Sequence, residues 1–258
     1  MEKRKHGFLI NREENEKDFL FGTRAVMEAL KAQKEIDKIL VNKELNNDLI
    51  KELLALAKQE RIPVVRVPEA KLNRTTRKNH QGVIAHISAI AYASLDNVIE
   101  ECFSKGVAPL IMVLDRITDV RNFGAIARTA DVAGIHALVI PEKGSAQINS
   151  DAVKTSAGAL NFLPVCRVKN LYFAVKELKK MGLNVVSATE KTDRLMYDVD
   201  FSIPTALVLG SEEDGISQEL LGLTDEFAGI PMAGNIESLN VSVAAAVFAY
   251  EAIRQRRG

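Results

Sequence analysis

Cysteine is scarce in this 258-residue chain, with only Cys102 and Cys166. Neither lies in a CxxC or other metal-ligand spacing. The sequence therefore argues against a disulfide framework and a zinc site, and fits a reducing compartment. Long apolar runs are missing too. No stretch approaches the roughly 18 apolar residues of a membrane span. The opening MEKRKHGFLINREENEKDF is charged and has no apolar segment behind it, which predicts a protein that stays in the cytoplasm, with no membrane partner. Internal repeats, low-complexity tracts and long disordered segments are also missing. No P-loop, GxGxxG, HExxH or GxSxG occurs, which sets aside NTPases, Rossmann dehydrogenases, zinc proteases and serine hydrolases.

Net charge is absent as well, because 34 Lys and Arg balance 34 Asp and Glu. That balance hides an asymmetry. Residues 1–90 hold 18 Lys and Arg against 13 Asp and Glu, and residues 91–258 hold 16 against 21. This is the pattern of a basic accessory module on an acidic body, although most Lys and Arg of any protein simply face solvent. With 47% hydrophobic residues there is ample material for one large core or two smaller ones.

The pattern along the chain is α/β. After a polar tail over residues 1–18, GTRAVMEALKAQK reads as a helix with Val26, Ala29 and Leu30 on one face. IDKILV follows as a strand, LIKELLALAKQE as a helix, and IPVVRV and GVIAHISAI as strands, giving a small α/β module over residues 19–90. Residues 91–107 read as a linker with a short helix. A body over residues 108–258 then alternates the strands LIMVLD, HALVIP, LPVCRV, LNVVSATE, TALVLG and EFAGIP with helical stretches such as residues 122–134 and 171–181. Short, continuously apolar strands between helices predict a parallel sheet covered on both faces.

Three segments of that body concentrate polar residues at strand-to-loop junctions. In LDRITDVRNFGAIARTADVAG, a strand ends at Asp115, and a helix is expected from Asn122 with Phe123, Ile126, Ala127, Ala130 and Ala133 on its core face. Arg128 points away from that face. Gly124, one turn before it, leaves an opening for a ligand or an RNA backbone. By themselves, Arg128 reads equally as a solvated side chain and Asn122 as a helix N-cap. In LVLGSEEDGIS, Gly210 and Gly215 read as turn formers and residues 212–214 as a solvated acidic cap. In IPMAGNIESLNVSVAAAVFAYEAIRQRR, a loop carries Asn235, Glu237, Ser238 and Asn240 into a helix whose only polar residue from Val241 to Ala249 is Ser242. A helix apolar on every side needs cover on every side, and a second subunit is the simplest cover. Ser238 and Asn240 could equally serve as N-cap residues of that helix.

In order and spacing these three segments resemble the three motifs of the SpoU/TrmH branch of the SPOUT RNA methyltransferases. FGTRAVMEAL and NHQGV resemble the substrate-binding domain that precedes the catalytic domain in ribosomal members, a small α/β fold akin to the kink-turn-binding ribosomal proteins. The resemblance implies a parallel-sheet SPOUT domain with a deep trefoil knot, which general topology rules make improbable, and an N-terminal α/β RNA-binding domain. It also implies a homodimer through the C-terminal domain. S-adenosylmethionine would be gripped largely by main chain against Gly210, Ile230, Met232 and Leu239. Asn122, Arg128, Glu212, Ser238 and Asn240 would form the catalytic set, with no metal.

Lys71, Arg74, Arg77 and Lys78, with Asn79, His80 and Gln81, would contact RNA, although KLNRTTRKNHQG alone could be a solvated loop. Two positions depart from the family pattern, Val120 in place of Pro and Glu213 in place of a frequent Gly. The implied reaction is methyl transfer to a ribose 2′-hydroxyl of a 23S ribosomal RNA guanosine. A transfer RNA substrate, or a non-catalytic assembly factor, are the alternatives. Guanidinium groups in general hold their proton beyond about pH 12, so a cationic role suits Arg128 better than that of a base.

Overall fold

The computed structural model describes residues 19–60 and 62–257, so the tail expected over residues 1–18 lies outside the described residues. The chain divides after Ile87 into two compact units. In the first unit β1 (Phe19–Phe21), α1 (Thr23–Lys31), β2 (Ile36–Asn42), α2 (Asp48–Gln59), β3 (Val64–Val67), α3 (Glu69–Thr75) and β4 (Val83–Ile87) follow in order. The sheet runs β1-β4-β2-β3, with β2 parallel to β3 and antiparallel to β4, and β1 antiparallel to β4.

Side chains alternate across β2. Ile39 and Val41 join Val26, Leu30, Ile50 and Leu53 in one core, and Leu40 joins Val67, Leu72 and Ile84 in another. Asn47 caps α2 by accepting the Ile50 N–H at 2.9 Å. KLNRTTRKNHQG, for which a solvated loop is the alternative to RNA contact, begins inside α3, where buried Leu72 anchors the short helix against the sheet.

The second unit runs α4 (Leu95–Ser104), β5 (Leu110–Leu114), α5 (Val120–Val132), β6 (Ala137–Pro141), α6 (Ser150–Thr155), β7 (Val165–Val168), α7 (Leu171–Lys180), β8 (Asn184–Ala188), β9 (Thr205–Leu209), α8 (Gln218–Leu221), β10 (Glu226–Ala228) and α9 (Val241–Arg257). Its sheet, ordered β10-β8-β9-β5-β6-β7, is parallel throughout. Leu110, Met112 and Leu114 of β5 enter a core with α5, α6 and α9, whereas Ile111 and Val113 enter a second core on the opposite face with α4, α7 and α8. The segment read as a linker carries α4, whose Ile99 is buried in that second core with Leu95 and Val98 packed against it, so it is part of this unit.

The strand order places the site. The chain steps outward from β5 through β6 to β7, then returns to lay β8 beyond β9. The order thus reverses between β5 and β9, and the carboxyl ends of strands at such a reversal open a crevice for ligands.

Helix α9 departs from the expectation of an element apolar and covered all round. Val241, Ala245, Phe248, Ala249 and Ala252 are buried, and Phe248 meets Phe201 edge-on at 6.3 Å. Val243 and Tyr250, however, are 47% and 53% exposed. The chain itself covers one face, where small alanines allow α9 to lie close on α5. Polar bonds seat its far end. Gln255 Oε1 accepts the Phe201 N–H at 2.8 Å, and the Arg256 guanidinium donates to the carbonyls of Phe201 at 2.7 Å and Ile203 at 2.9 Å.

Candidate active site

At the carboxyl ends of β5 and β9 the Asp115 N–H donates to Leu209 O at 2.8 Å, and the chain after β9 turns back sharply on itself. Ser211 and Gly215 exchange backbone hydrogen bonds of 3.0 and 3.1 Å. Gly215 holds a positive φ of 68°, as its reading as a turn former expected. A Cβ on Gly210 would stand 2.1 Å from the Gly215 carbonyl carbon, so Gly210 is needed for the loop to close on its own backbone.

This loop, the loop after β8 and the approach to α9 surround a cavity of about 480 Å³. All four residues expected at a cofactor, Gly210, Ile230, Met232 and Leu239, line it, together with Glu212, Ser238 and Asn240. Thr189, Glu190 and Lys191 line it too and had no motif to announce them. Their signal was positional, since they directly follow the carboxyl end of a parallel strand.

Asn240 joins the three segments. Its backbone carbonyl accepts the N–H groups of Val243 and Ala244 at 3.0 and 2.9 Å, and its Oδ1 accepts the Ser242 N–H at 2.9 Å, which makes it the cap of α9. With Oδ1 turned to the helix, Nδ2 donates to Asn122 Oδ1 at 3.1 Å and to Glu212 Oε1. Glu212 Oε1 also accepts the Val241 N–H at 3.4 Å, placing a carboxylate at the positive end of a helix.

Asn122 is not the start of its helix. Asp119 caps α5 by accepting the Arg121 and Asn122 N–H groups at 2.7 and 3.0 Å, which frees the Asn122 side chain for Asn240. Val120 therefore occupies the first helical position, where proline is equally well accommodated. Ser238 lines the cavity two residues ahead of the cap and is not itself the cap.

Other expected residues lie elsewhere. Arg128 is exposed on α5, outside the cavity lining, and among the described residues its guanidinium has no hydrogen-bond or ion-pair partner. Gly124 is no opening. A Cβ there would lie 2.6 Å from Thr155 Cβ and 3.1 Å from Ser156 N, so this glycine lets α6 pack onto α5.

In the first unit Lys71 and Arg74 are exposed on α3, and Arg77, Lys78, Asn79 and Gln81 are exposed beyond it. His80 is not available to a ligand. It is buried, its Nδ1 accepts the Gly82 N–H at 2.9 Å, and its Nε2, which then carries the proton, donates to Asn73 Oδ1 at 2.8 Å. The ring supports the turn from beneath. Neither cysteine is poised as a nucleophile, because both are buried and burial pushes the Cys166 thiol up to about 12 and the Cys102 thiol upward.

Comparison with known proteins gives two family matches. Residues 109–250 match the SpoU rRNA Methylase family, and residues 19–93 match RNA 2′-O ribose methyltransferase substrate binding. YacO of Bacillus subtilis, named for the TrmH family of tRNA/rRNA methyltransferases, is 35% identical over 239 residues, which is 93% of this chain and 96% of its own length. The crystal structure of the SpoU methyltransferase AviRb from Streptomyces viridochromogenes with its cofactor AdoMet is similar at a TM-score of 0.58 and 29% identity, over 93% of this chain and 90% of that one. The A. aeolicus TrmH/SpoU tRNA modifying enzyme is similar at a TM-score of 0.54 and 32% identity, over 62% of this chain and 85% of that one.

Proposed function

The chain belongs to the SpoU family and is an RNA methyltransferase with S-adenosylmethionine as cofactor, and from that premise we propose that it methylates a ribose 2′-hydroxyl of a guanosine in 23S ribosomal RNA. One observation carries this reading: Asn122, Glu212 and Asn240, drawn from three distant segments, meet in a hydrogen-bonded junction whose Glu212 and Asn240 line the cavity and whose Asn122 lies behind Asn240, outside the lining.

The cavity suits the cofactor. Acidic Glu190, Glu212, Glu213 and Asp214 outnumber Lys191 along its lining, which favours a ligand bearing positive charge, and the main chain of residues 209–215 is within reach. S-adenosylmethionine supplies a methyl group on a sulfonium, which departs as a neutral thioether. The protein's remaining tasks are alignment of the hydroxyl and removal of its proton. Asn122 keeps its amide donors free of Asn240, and with Ser238 it positions the ribose. Asn240 and the N-terminus of α9 hold the Glu212 carboxylate in place. Arg128, exposed beyond the cavity on α5, meets the RNA, neutralises the adjacent phosphate and stabilises negative charge growing on the oxygen.

The choice of ribosomal over transfer RNA rests on the first unit. It matches a substrate-binding family and presents Lys71, Arg74, Arg77, Lys78, Asn79 and Gln81 on its surface, whereas the tRNA enzyme covers only 62% of this chain. The deep trefoil knot and a homodimer through the C-terminal domain belong to the same reading. Support for the dimer comes from Val243 and Tyr250 on α9 and Val132 on α5, which leave apolar surface for a second copy. A cytoplasmic setting accords with two free, buried cysteines.

Mapping 2′-O-methyl groups in total RNA from a deletion strain tests the substrate. Loss at one 23S guanosine is expected, and loss in transfer RNA alone would overturn the assignment. Single-turnover transfer tests Arg128. Arg128→Ala should slow it by about a hundredfold with cofactor affinity unchanged, and Arg128→Lys should recover part of the rate if charge is what matters. A wild-type rate in Arg128→Ala would leave the residue as solvated surface.

A further inference from the structure

Arg116, directly after β5, has a φ of 58°, a left-handed conformation unfavourable for a side chain carrying a Cβ. Such a conformation persists where surrounding contacts hold it. Here the contacts come from the guanidinium. Nη1 donates to Asp214 Oδ2 at 2.9 Å, Nη2 donates to the Gly215 carbonyl at 2.8 Å, and Nε approaches Asp115 Oδ1 at 3.4 Å. Asp115 is buried, and its Oδ2 accepts the Ser217 N–H at 2.7 Å. The loop of residues 210–217 is thereby fastened from β5 at positions 214, 215 and 217. Within the loop the Asp214 N–H donates to Ser211 Oγ, Glu212 reaches the start of α9, and the Ser217 carbonyl accepts the Leu220 and Leu221 N–H groups of α8. This loop forms one wall of the cavity.

We propose that Arg116 is a positioning residue for cofactor capture, bracing the 210–217 loop in the shape that grips S-adenosylmethionine, a role that rests on this cavity being the cofactor site. Without the guanidinium, Asp214 and the Gly215 carbonyl lose their fixed partner, and the loop must be ordered when the ligand binds. The cost falls on binding, because Asn122 and Ser238 lie on other segments, and Glu212, the one junction residue on this loop, is held separately by Asn240 Nδ2 and the Val241 N–H.

The test uses the full chain with Arg116→Gly and Arg116→Asn, two residues that adopt left-handed backbone readily, so neither adds backbone strain. Both variants should keep the wild-type melting temperature or exceed it. Their Kd for S-adenosylmethionine by calorimetry and their KM for it should rise by about tenfold, the loss expected for a partly exposed charged hydrogen-bond set. Their kcat at saturating cofactor should stay within about twofold of wild type. Added guanidinium at millimolar concentration should recover part of the affinity of Arg116→Gly. Simple loss of folded enzyme would instead lower kcat and leave KM unchanged, and that result would overturn the proposal. So would an unchanged Kd in both variants while Ala244→Phe, which fills the cavity, abolishes binding. If Ala244→Phe binds the cofactor as wild type does, the cavity reading fails and the proposal fails with it.

Discussion

Asn240 serves two purposes because its amide has two ends. Oδ1 caps α9 through Ser242, and Nδ2 ties Asn122 to Glu212. The two readings of this residue, helix cap and site residue, are therefore compatible, and Asn240→Asp separates them. An aspartate can still accept the Ser242 N–H, so the fold should survive. Its second oxygen, however, would face the Glu212 carboxylate, and two carboxylates in contact hold one proton between them at raised pKa. Methyl transfer should fall by about a hundredfold at neutral pH and recover in part as pH falls and that proton restores a donor. Single-turnover rates against pH check this, and a wild-type rate with a flat profile would detach the junction from catalysis. Glycines show the opposite limit, for what fills the space of a missing Cβ is not written next to the residue. Gly124 accommodates Thr155 and Gly210 accommodates the backbone of residues 215–216.

Helices and strands of the second unit are tied at their ends by polar groups that the apolar pattern does not reveal. Where β5 and β6 begin, His136 Nδ1 accepts the Leu110 N–H at 2.9 Å, and the His136 N–H donates to Leu110 O at 2.9 Å. Burial holds the imidazole pKa below its ordinary 6.5, and Arg256 adds to the effect. The folded state thus favours the neutral ring, and the unfolded chain takes up the proton first as pH falls. The resulting stability is present in full above about pH 6.5 and is lost as pH falls through the folded pKa. Urea denaturation should show wild type weakening below about pH 6.5, while His136→Asn, whose amide oxygen can accept the same N–H, stays flatter over that window. Parallel curves for the two proteins would remove His136 as the cause. Glu251 acts in a separate, more acidic window. Its hydrogen bonds from Arg254 hold its carboxyl below the ordinary 4.5, so its contribution is lost only as pH falls below that range.

Each of the two units owns its core, and the cavity residues all belong to the second. Removing residues 1–87 should therefore leave affinity for S-adenosylmethionine near that of the full chain. RNA affinity should drop and its dependence on salt become shallower, because Lys71, Arg74, Arg77 and Lys78 leave with the first unit. Calorimetry and salt-dependent RNA binding read the two effects, and a folded truncation unable to bind cofactor would contradict this division of labour. Sedimentation checks the dimer, which is expected to persist in the truncation because Val243, Tyr250 and Val132 remain. A stable monomer of the full chain would refute it.

Strand identities, the parallel sheet of the second unit and the three polar segments were legible in the sequence because each depends on neighbours in the chain. An apolar run records a strand buried on both faces, and a polar cluster behind it records the loop where a ligand can reach. Tertiary structure decided which loops share a cavity, that Asn122 is released by Asp119 to meet Asn240, that His80 is buried beneath a turn, and that one face of α9 is covered by its own chain. It also joined Arg116 to Gly215. The pairs Asn122–Asn240 and Arg116–Gly215 join groups separated by about a hundred residues, whose meeting is set by the order of strands in the sheet, and strand order leaves no periodic mark in a single sequence.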